Sequence, residues 1–303
     1  MKPKLPTHVT LVEMGARDGL QNQPQLVSAA DRAEWIDLLS QTGLTRIETG
    51  SFVSPKAVPQ MADSGDVLVR IQKEKHVRYS ALTPNMQGLE AALKAGAQEV
   101  AVFGSASEGF SQHNIRCSIA DSLKRFEPVI EAAHSQGLPV RGYVSCVMGC
   151  PYDGDVPPPQ VTSVADALWQ MGCYEISLGD TLGKGTPLQA KRLLETVSQK
   201  VPISRLAAHF HNTYGQALAN LLAVLEEGLH VIDSSVAGLG GCPYAPNSSG
   251  NVATEDVVYM LEGMGIHTGV NMEKLLKAAH FICATLDISS RSQAGLALSK
   301  LTQ

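Results

Sequence analysis

The stretch Leu206-Ala207-Ala208-His209-Phe210-His211-Asn212 predicts a β-strand that carries two histidines two positions apart. Side chains alternate between the faces of a strand, so His209 and His211 share one face and the other face is apolar. Two neutral imidazoles about 6–7 Å apart along a strand can converge on one metal ion. A pair of hydrogen-bonded core histidines is the alternative, and the rest of the chain must decide between them.

The predicted strand belongs to a unit that recurs along the chain, in which a short β-rich run is followed by a helical pattern. Eight strands are predicted, at residues 9–14, 46–49, 78–82, 99–103, 140–146, 174–178, 205–211 and 231–236. Helical patterns between them cover residues 29–41, 86–95, 119–135, 161–171, 187–200 and 216–227. Strict β/α alternation favours a parallel sheet with helical crossovers.

The number of repeats selects the architecture. Eight units in roughly 250 residues is the size of a closed (β/α)8 TIM barrel. A doubly wound sheet would need a G-x-G-x-x-G turn after the first strand, which is missing from the sequence. Helical patterns at 253–263 and 272–286 are expected to complete the barrel and add C-terminal helices. We interpret residues 1–303 as a single catalytic domain and the prolines at 157–159 as a loop insert.

Composition narrows the possible functions. The 303 residues are 44% hydrophobic and 17% charged, with a formal net charge of −5. Without a run of lysine and arginine, binding to nucleic acid or to an anionic membrane is not expected, which leaves small-molecule chemistry. No segment is long and apolar enough to predict a membrane span.

The compartment is predicted from both the N-terminus and the cysteines. The first eight residues lead directly into a strand, which leaves no room for a signal peptide or an Arg-rich transit helix. The six cysteines form no C-x-x-C pair, so we expect free thiols, no structural disulfide and a cytoplasmic location.

Catalytic groups of such a barrel lie at the C-terminal ends of the strands and in the loops that follow. Arg17 and Asp18 follow strand one, where a surface salt bridge is the alternative interpretation. Glu48 lies between apolar neighbours on strand two and is expected to point into the barrel, where a carboxylate must be paired or functional. Asp180 reaches the same rim only if strand six ends at Gly179.

The residues after strand eight include a cysteine and an asparagine. Cys242 lies in a Gly-rich loop over the barrel mouth, where it could exchange a proton with a substrate or be an inert thiol. Asn251 could simply cap the next helix. Together with Asp18, His209 and His211, however, Asn251 completes a set of two imidazoles and two oxygens. This set suits a divalent ion such as Mg²⁺ or Mn²⁺, with zinc still possible.

Several motifs resemble those of 3-hydroxy-3-methylglutaryl-CoA lyases, and they extend over nearly the whole chain. They are ARDGLQN (16–22), SFVSPK (51–56), RGYVSC (141–146), GCYEISLGDT (172–181), GLGGCPYA (238–245) and GNVATED (250–256). The cysteine loop is specific to the lyases. The Arg-Asp-Gly turn and the His-x-His strand are shared with other Claisen-type TIM-barrel enzymes.

The resemblance implies cleavage of the CoA thioester to acetyl-CoA and acetoacetate, as in leucine degradation or ketone-body formation, by a homodimer. It implies metal ligation by Asp18, His209, His211 and Asn251. Catalytic roles fall to the positions Arg17, Glu48, Asp180, His209 and Cys242, and substrate binding to Arg17 and Gln21.

Two other functions are compatible with the sequence. A condensing enzyme that joins acetyl-CoA to a 2-oxo acid would use the same barrel and metal. A catalytically silent barrel that serves as a scaffold would be expected to lack a metal ligand or an acid, yet every proposed position is filled.

Overall fold

The computed structural model describes residues 5–241 and 250–299, and these form a closed barrel. In the described residues, eight parallel strands are hydrogen-bonded in sequence order, and β8 closes onto β1. The strands are β1 (Thr10–Glu13), β2 (Arg46–Ser51), β3 (Arg78–Leu82), β4 (Glu99–Ser105), β5 (Val140–Ser145), β6 (Glu175–Asp180), β7 (Leu206–Phe210) and β8 (Val231–Ser234). All eight predicted strands are therefore confirmed, and so is the (β/α)8 architecture.

Helices cover the outside of this barrel. They are α1 (Ala29–Ser40), α2 (Ser64–Arg70), α3 (Met86–Lys94), α4 (Glu108–Ile115), α5 (Ile119–Ser135), α6 (Pro158–Gln170), α7 (Pro187–Val197), α8 (Ala217–Leu225), α9 (Thr254–Gly263), α10 (Met272–Leu286) and α11 (Gln293–Ser299). Every helical pattern found in the sequence is confirmed. The sequence analysis missed α2, α4 and α11, which have only seven or eight residues each.

The interpretation of residues 157–159 as a loop insert is wrong. Pro157 is the N-cap of α6, and the helix itself begins at Pro158. Proline is accommodated in the first turn of a helix because its missing N–H would have no intrahelical partner there. The prolines therefore start the helix.

Most of the apolar core lies between the strands and the helices. Trp35, Ile36 and Leu39 on α1 are fully buried there, and each large apolar side chain stabilises the fold by about 1.5–3 kcal/mol. A smaller apolar cluster lies inside the barrel and consists of Val12, Met14, Leu82, Ala101, Tyr143, Ala207 and Val231. In the described residues, no helix is both long and apolar enough to cross a membrane.

Ion pairs accompany the small apolar cluster inside the barrel. Glu175 accepts from Arg46 at 2.9 Å and from Arg141 at 2.7 Å, and Arg141 also pairs with Asp233 at 2.7 Å. Charges this deeply buried remain stable only when each is paired and hydrogen-bonded. The barrel interior thus contains buried ion pairs as well as apolar side chains.

Candidate active site

A five-residue π-helical turn, Gly15–Gly19, follows β1 and carries Arg17 and Asp18. The Glu13 carboxylate accepts the Gly15 amide at 2.8 Å and so fixes the start of the turn. A Cβ atom at Gly19 would lie 2.8 Å from the Ser235 hydroxyl oxygen, so only glycine fits there without displacement. Close packing against the residues after β8 therefore holds Arg17 and Asp18 at the barrel mouth.

Asp18, His209 and His211 form a compact group, which we call the metal cluster. One potential ligand atom from each residue lies within 4.8 Å of the other two. The Asp18 Oδ2 atom is 3.7 Å from His209 Nε2 and 3.8 Å from His211 Nε2. A carboxylate oxygen and two imidazole nitrogens facing one another are suitable ligands for a divalent metal ion, so the donor set fits.

Asn251 lies beside this cluster. Residues 250–252 run along the end of β7, where His211 and Asn251 form an antiparallel bridge and the Asn212 amide donates to the Gly250 carbonyl at 2.6 Å. The Asn251 Nδ2 donates to Asp18 Oδ2 at 2.7 Å and to the Leu239 carbonyl at 3.2 Å. The amide thus presents its nitrogen to the cluster, and a half-turn about its terminal bond would present its oxygen.

The members of the metal cluster differ in their protonation. Burial alone would lower the pKa of His209, but hydrogen bonds to Asp18 and Asp233 raise it to about 9. Burial and the neighbouring His209 lower the pKa of His211 to about 4. Burial opposes ionisation of Asp18, yet Arg17 and both histidines hold its pKa well below the usual value. At neutral pH His211 is therefore a neutral imidazole, as metal ligation requires, whereas His209 is protonated and must release its proton when a metal binds.

Arg17 forms ion pairs with two carboxylates. Its Nε donates to Glu48 Oε2, and its Nη1 donates to Asp18 Oδ1 at 2.5 Å. The Tyr143 hydroxyl donates to the other Glu48 oxygen at 3.2 Å, and the Arg17 guanidinium lies 5.5 Å from the Tyr143 ring centre. Glu48 is fully buried inside the barrel, which confirms its predicted direction. These contacts aim a permanent cation at the space beside the metal cluster.

Sequence analysis missed Asp233, which contacts His209, and Arg141, which contacts Asp233. Asp233 Oδ2 lies 3.2 Å from His209 Nδ1, and it accepts the Ser177 hydroxyl at 2.8 Å. Arg141 forms two hydrogen bonds to the same carboxylate, at 2.9 and 2.7 Å. A carboxylate on the second nitrogen of a metal-ligating histidine fixes the ring and its tautomer. The signal that could have identified these two positions is a charged residue within an otherwise apolar strand.

The expectation that strand six ends at Gly179 is wrong. β6 continues through Asp180, which pairs with Phe210 on β7. Side chains therefore continue to alternate up to Asp180, which points away from the barrel axis. The Asp180 carboxylate accepts hydrogen bonds from the amides of Gly183 at 3.1 Å and Gly185 at 2.9 Å. These contacts support the loop between β6 and α7, and a direct catalytic role of Asp180 stays a prediction.

A cavity of about 380 Å³ opens above the metal cluster. Its lining includes five residues that the sequence analysis singled out, namely Arg17, Asp18, Gln21, His209 and His211. Apolar side chains also line the cavity, namely Val53, Ala57, Val58, Leu82, Phe103, Phe110, Ile115 and Val144. Gly241 also borders the cavity, whereas Cys242 lies outside the described residues. A substrate with both charged and apolar parts fits such a cavity.

Comparison with known proteins gives a consistent result. The HMGL-like family model matches residues 8–282. A Pseudomonas aeruginosa protein named 3-hydroxy-3-isohexenylglutaryl-CoA/hydroxy-methylglutaryl-CoA lyase is 60% identical over 294 residues, which is 97% of this chain and 98% of the relative. A Danio rerio protein named 3-hydroxy-3-methylglutaryl-CoA lyase, cytoplasmic, is 57% identical over 96% of this chain and 87% of the relative.

A solved structure shows the same fold. The crystal structure of hydroxymethylglutaryl-CoA lyase from Pseudomonas aeruginosa superposes with a TM-score of 0.96 at 59% identity, covering 98% of this chain and 99% of that chain. The arrangement of strands and helices is therefore shared with this enzyme over almost its whole length.

Proposed function

The chain belongs to the hydroxymethylglutaryl-CoA lyase family, and we propose that it cleaves 3-hydroxy-3-methylglutaryl-CoA to acetyl-CoA and acetoacetate in a metal-dependent retro-Claisen reaction. As a member of this family it is an enzyme of the carbon–carbon lyase class. The observation that carries the proposal is the metal cluster at the floor of a cavity, with Arg17 beside it.

The metal cluster would hold Mg²⁺ or Mn²⁺ through Asp18, His209 and His211, with Asn251 as a further ligand. A bound divalent ion lowers the pKa of a coordinated hydroxyl group and orients neighbouring oxygens. The choice of these two metals rests on the donor set, which contains a carboxylate and an amide but no thiolate.

The residues around the cavity supply the remaining steps. His209 or Asp18 removes the proton of the tertiary hydroxyl group. Cleavage of the bond between C2 and C3 then leaves a ketone and a thioester enolate, whose negative oxygen the Arg17 guanidinium stabilises. Cys242 gives a proton to C2, which completes acetyl-CoA. Glu48 holds Arg17 in place, and Gln21 contacts the substrate.

Turnover by the metal-stripped protein, with and without added Mg²⁺ or Mn²⁺, tests this proposal. We expect acetyl-CoA and acetoacetate to appear only with metal, and Cys242→Ser to abolish most of the activity. Cys117→Ser is the matched control, since Cys117 is a half-buried free thiol that does not line the cavity. Folded, metal-loaded protein that releases neither product would contradict the proposal. Release of free CoA from acetyl-CoA with a 2-oxo acid would favour the condensing alternative.

The apolar residues that line the cavity favour a second substrate. Ala57, Val58 and Phe110 are among these residues, and together they offer more apolar surface than one methyl group can contact. We therefore propose that the enzyme also accepts 3-hydroxyglutaryl-CoA esters with a longer 3-alkyl or alkenyl group, as the name of the Pseudomonas aeruginosa relative states for that protein. Ala57→Phe should reduce kcat/KM for the isohexenyl substrate at least about tenfold more than for the methyl substrate.

Assembly and location complete the proposal. We propose a cytoplasmic homodimer, in line with the name of the Danio rerio relative and with the family resemblance. Light scattering of the purified chain tests the dimer, and fractionation of the source cells tests the location.

A further inference from the structure

Arg141 uses its whole guanidinium group inside the barrel. The Nε atom donates to Glu175 at 2.7 Å, and Nη2 donates to Asp233 at 2.7 Å. Nη1 lies 2.9 Å from the second Asp233 oxygen and 2.8 Å from the Tyr143 hydroxyl. Only the planar fork of arginine presents donors in these three directions at once. The side chain is 1% exposed, so water does not compete for these contacts.

Arg141 is connected through its hydrogen-bond partners to both His209, on the metal side of the active site, and Arg17, on the substrate side. On the metal side, its partner Asp233 contacts His209 Nδ1 at 3.2 Å. The ring is thereby held with Nε2 facing Asp18. Asp233 lies on β8 opposite His209 in the strand register, whereas Arg141 reaches it across the barrel from β5.

On the substrate side, Tyr143 and Glu48 connect Arg141 to Arg17 by hydrogen bonds. The Tyr143 hydroxyl lies between Arg141 Nη1 and Glu48 Oε1, at 2.8 and 3.2 Å. The other Glu48 oxygen accepts the Arg17 Nε. A hydroxyl between a cation and a carboxylate has one favourable orientation, so it fixes the Glu48 side chain and, through it, Arg17.

We infer that Arg141 is a positioning residue that orients two groups at once, the proposed metal ligand His209 and the Arg17 guanidinium, which is proposed to contact the substrate. Arg141 does not line the cavity, so it acts only through Asp233 and Tyr143. This inference rests on the proposed function, because it assigns His209 to the metal and Arg17 to the enolate. It goes further by coupling these two groups through one buried side chain.

Three variants separate the two paths. Asp233→Asn should weaken Mn²⁺ binding roughly 10–100-fold, as removal of a carboxylate behind a ligating histidine does. Tyr143→Phe should leave Mn²⁺ binding unchanged and lower kcat about tenfold, the effect of one lost hydrogen bond. Arg141→Gln should show both effects. Mn²⁺ affinity is measured by titration calorimetry on the metal-stripped full chain, kcat by product release, and unfolding by urea.

Arg32→Gln is the matched control. Arg32 is also a fully buried arginine, and it pairs with Asp63 at 2.5 Å and with the Gln60 carbonyl at 3.0 Å, away from the cavity lining. This variant should lower the urea midpoint and leave both Mn²⁺ affinity and kcat of the folded protein unchanged.

The inference is overturned if folded Arg141→Gln matches Arg32→Gln in both functional readouts. If Arg141→Gln does not fold, wild-type Mn²⁺ affinity in Asp233→Asn together with wild-type kcat in Tyr143→Phe overturns it. Failure of the proposed function has a different signature, in which the wild type binds Mn²⁺ but releases neither acetyl-CoA nor acetoacetate. The Mn²⁺ affinities of Asp233→Asn and Arg141→Gln then decide the inference.

Discussion

The metal cluster can be compared with a second buried acidic group, the carboxylate pair Glu13 and Glu255. Each contains one residue from β1 or from the turn after it, but the metal cluster takes its histidines from β7 and the residue directly after it, whereas Glu255 lies on α9. In the metal cluster, Asp18 contacts Arg17 and two histidines. In the carboxylate pair, Glu13 accepts the Gly15 amide, the Val236 amide and the Thr254 hydroxyl, and Glu255 accepts the Ala237 amide.

The difference in partners gives opposite electrostatics. Cationic neighbours hold the pKa of Asp18 well below the usual value, despite burial. Burial raises the pKa of Glu13 to about 7 and that of Glu255 to about 8, because amides and a hydroxyl offset it only in part. A buried carboxylate therefore stays ionised where cations surround it, as metal ligation would require, whereas a buried carboxylate bonded mainly to backbone amides holds the backbone in place.

The largest expected effect comes from removing the carboxylate of the metal cluster. Asp18→Ala should lower kcat roughly 10³-fold and weaken Mn²⁺ binding, because it removes a ligand and a partner of Arg17. Steady-state turnover and calorimetry measure the two effects. Asp63→Ala is the control, since Asp63 also pairs with a buried arginine but lies off the cavity lining. Equal activity losses in the two variants would show that Asp18 acts only on stability.

Replacing Arg17 tests the charge beside the cluster. Arg17→Lys should reduce kcat about 10²–10³-fold, because lysine keeps the charge but loses the fork that binds Glu48 and the enolate oxygen together. Mn²⁺ affinity should fall less than in Asp18→Ala, because lysine keeps a positive charge beside Asp18 and the ligand itself remains. Near-normal turnover in this variant would rule out the proposed role of Arg17.

The carboxylate pair should make the stability of the protein depend on pH. A carboxyl whose folded pKa is raised binds more protons in the native state, so the free energy of unfolding falls as pH rises. For Glu13 and Glu255 the fall should begin near the unfolded value of about 4.5 and end above about 8, at up to about 1.4 kcal/mol per pH unit for each group. Urea midpoints of the metal-free protein at pH 5.5 and 8 measure it.

Glutamine variants test whether the carboxylate pair causes this pH dependence of stability. Glu13→Gln should flatten part of the slope, since an amide can accept the two backbone N–H groups and donate to Thr254 without titrating. Glu195→Gln, at an exposed position, should leave the slope unchanged. An unaltered slope in Glu13→Gln would show that Glu13 is ionised in the folded protein.

The smallest expected effect concerns Asp180, whose contacts resemble those of the carboxylate pair more than those of the metal cluster. Asp180→Ala should cost about 1–3 kcal/mol of stability and speed hydrogen exchange at Gly183 and Gly185, because both amides lose their acceptor. Asp180→Asn, which keeps an acceptor, should lose less. A 10³-fold loss of kcat with unchanged exchange would instead support direct catalysis by Asp180.

Local sequence patterns were sufficient for the strands and the long helices. Period-two and period-3.6 patterns depend on neighbouring residues only, so all eight strands appear at the predicted places. Residue type and position at the strand ends also brought Asp18, His209 and His211 together correctly. Short helices such as α2 and α4 were missed because seven or eight residues contain too few turns to show a period.

The sequence by itself determined the barrel, the rim on which the chemistry lies and the donor types of the metal cluster. Only the tertiary structure decided the direction of Asp180, the partners of Glu13, and the link from Arg141 to His209 and Arg17. Arg141 and Asp233 are 92 positions apart and meet across the barrel interior. The physical reason is that hydrogen bonding and burial depend on distances in space, and these are set only when the eighth strand closes on the first.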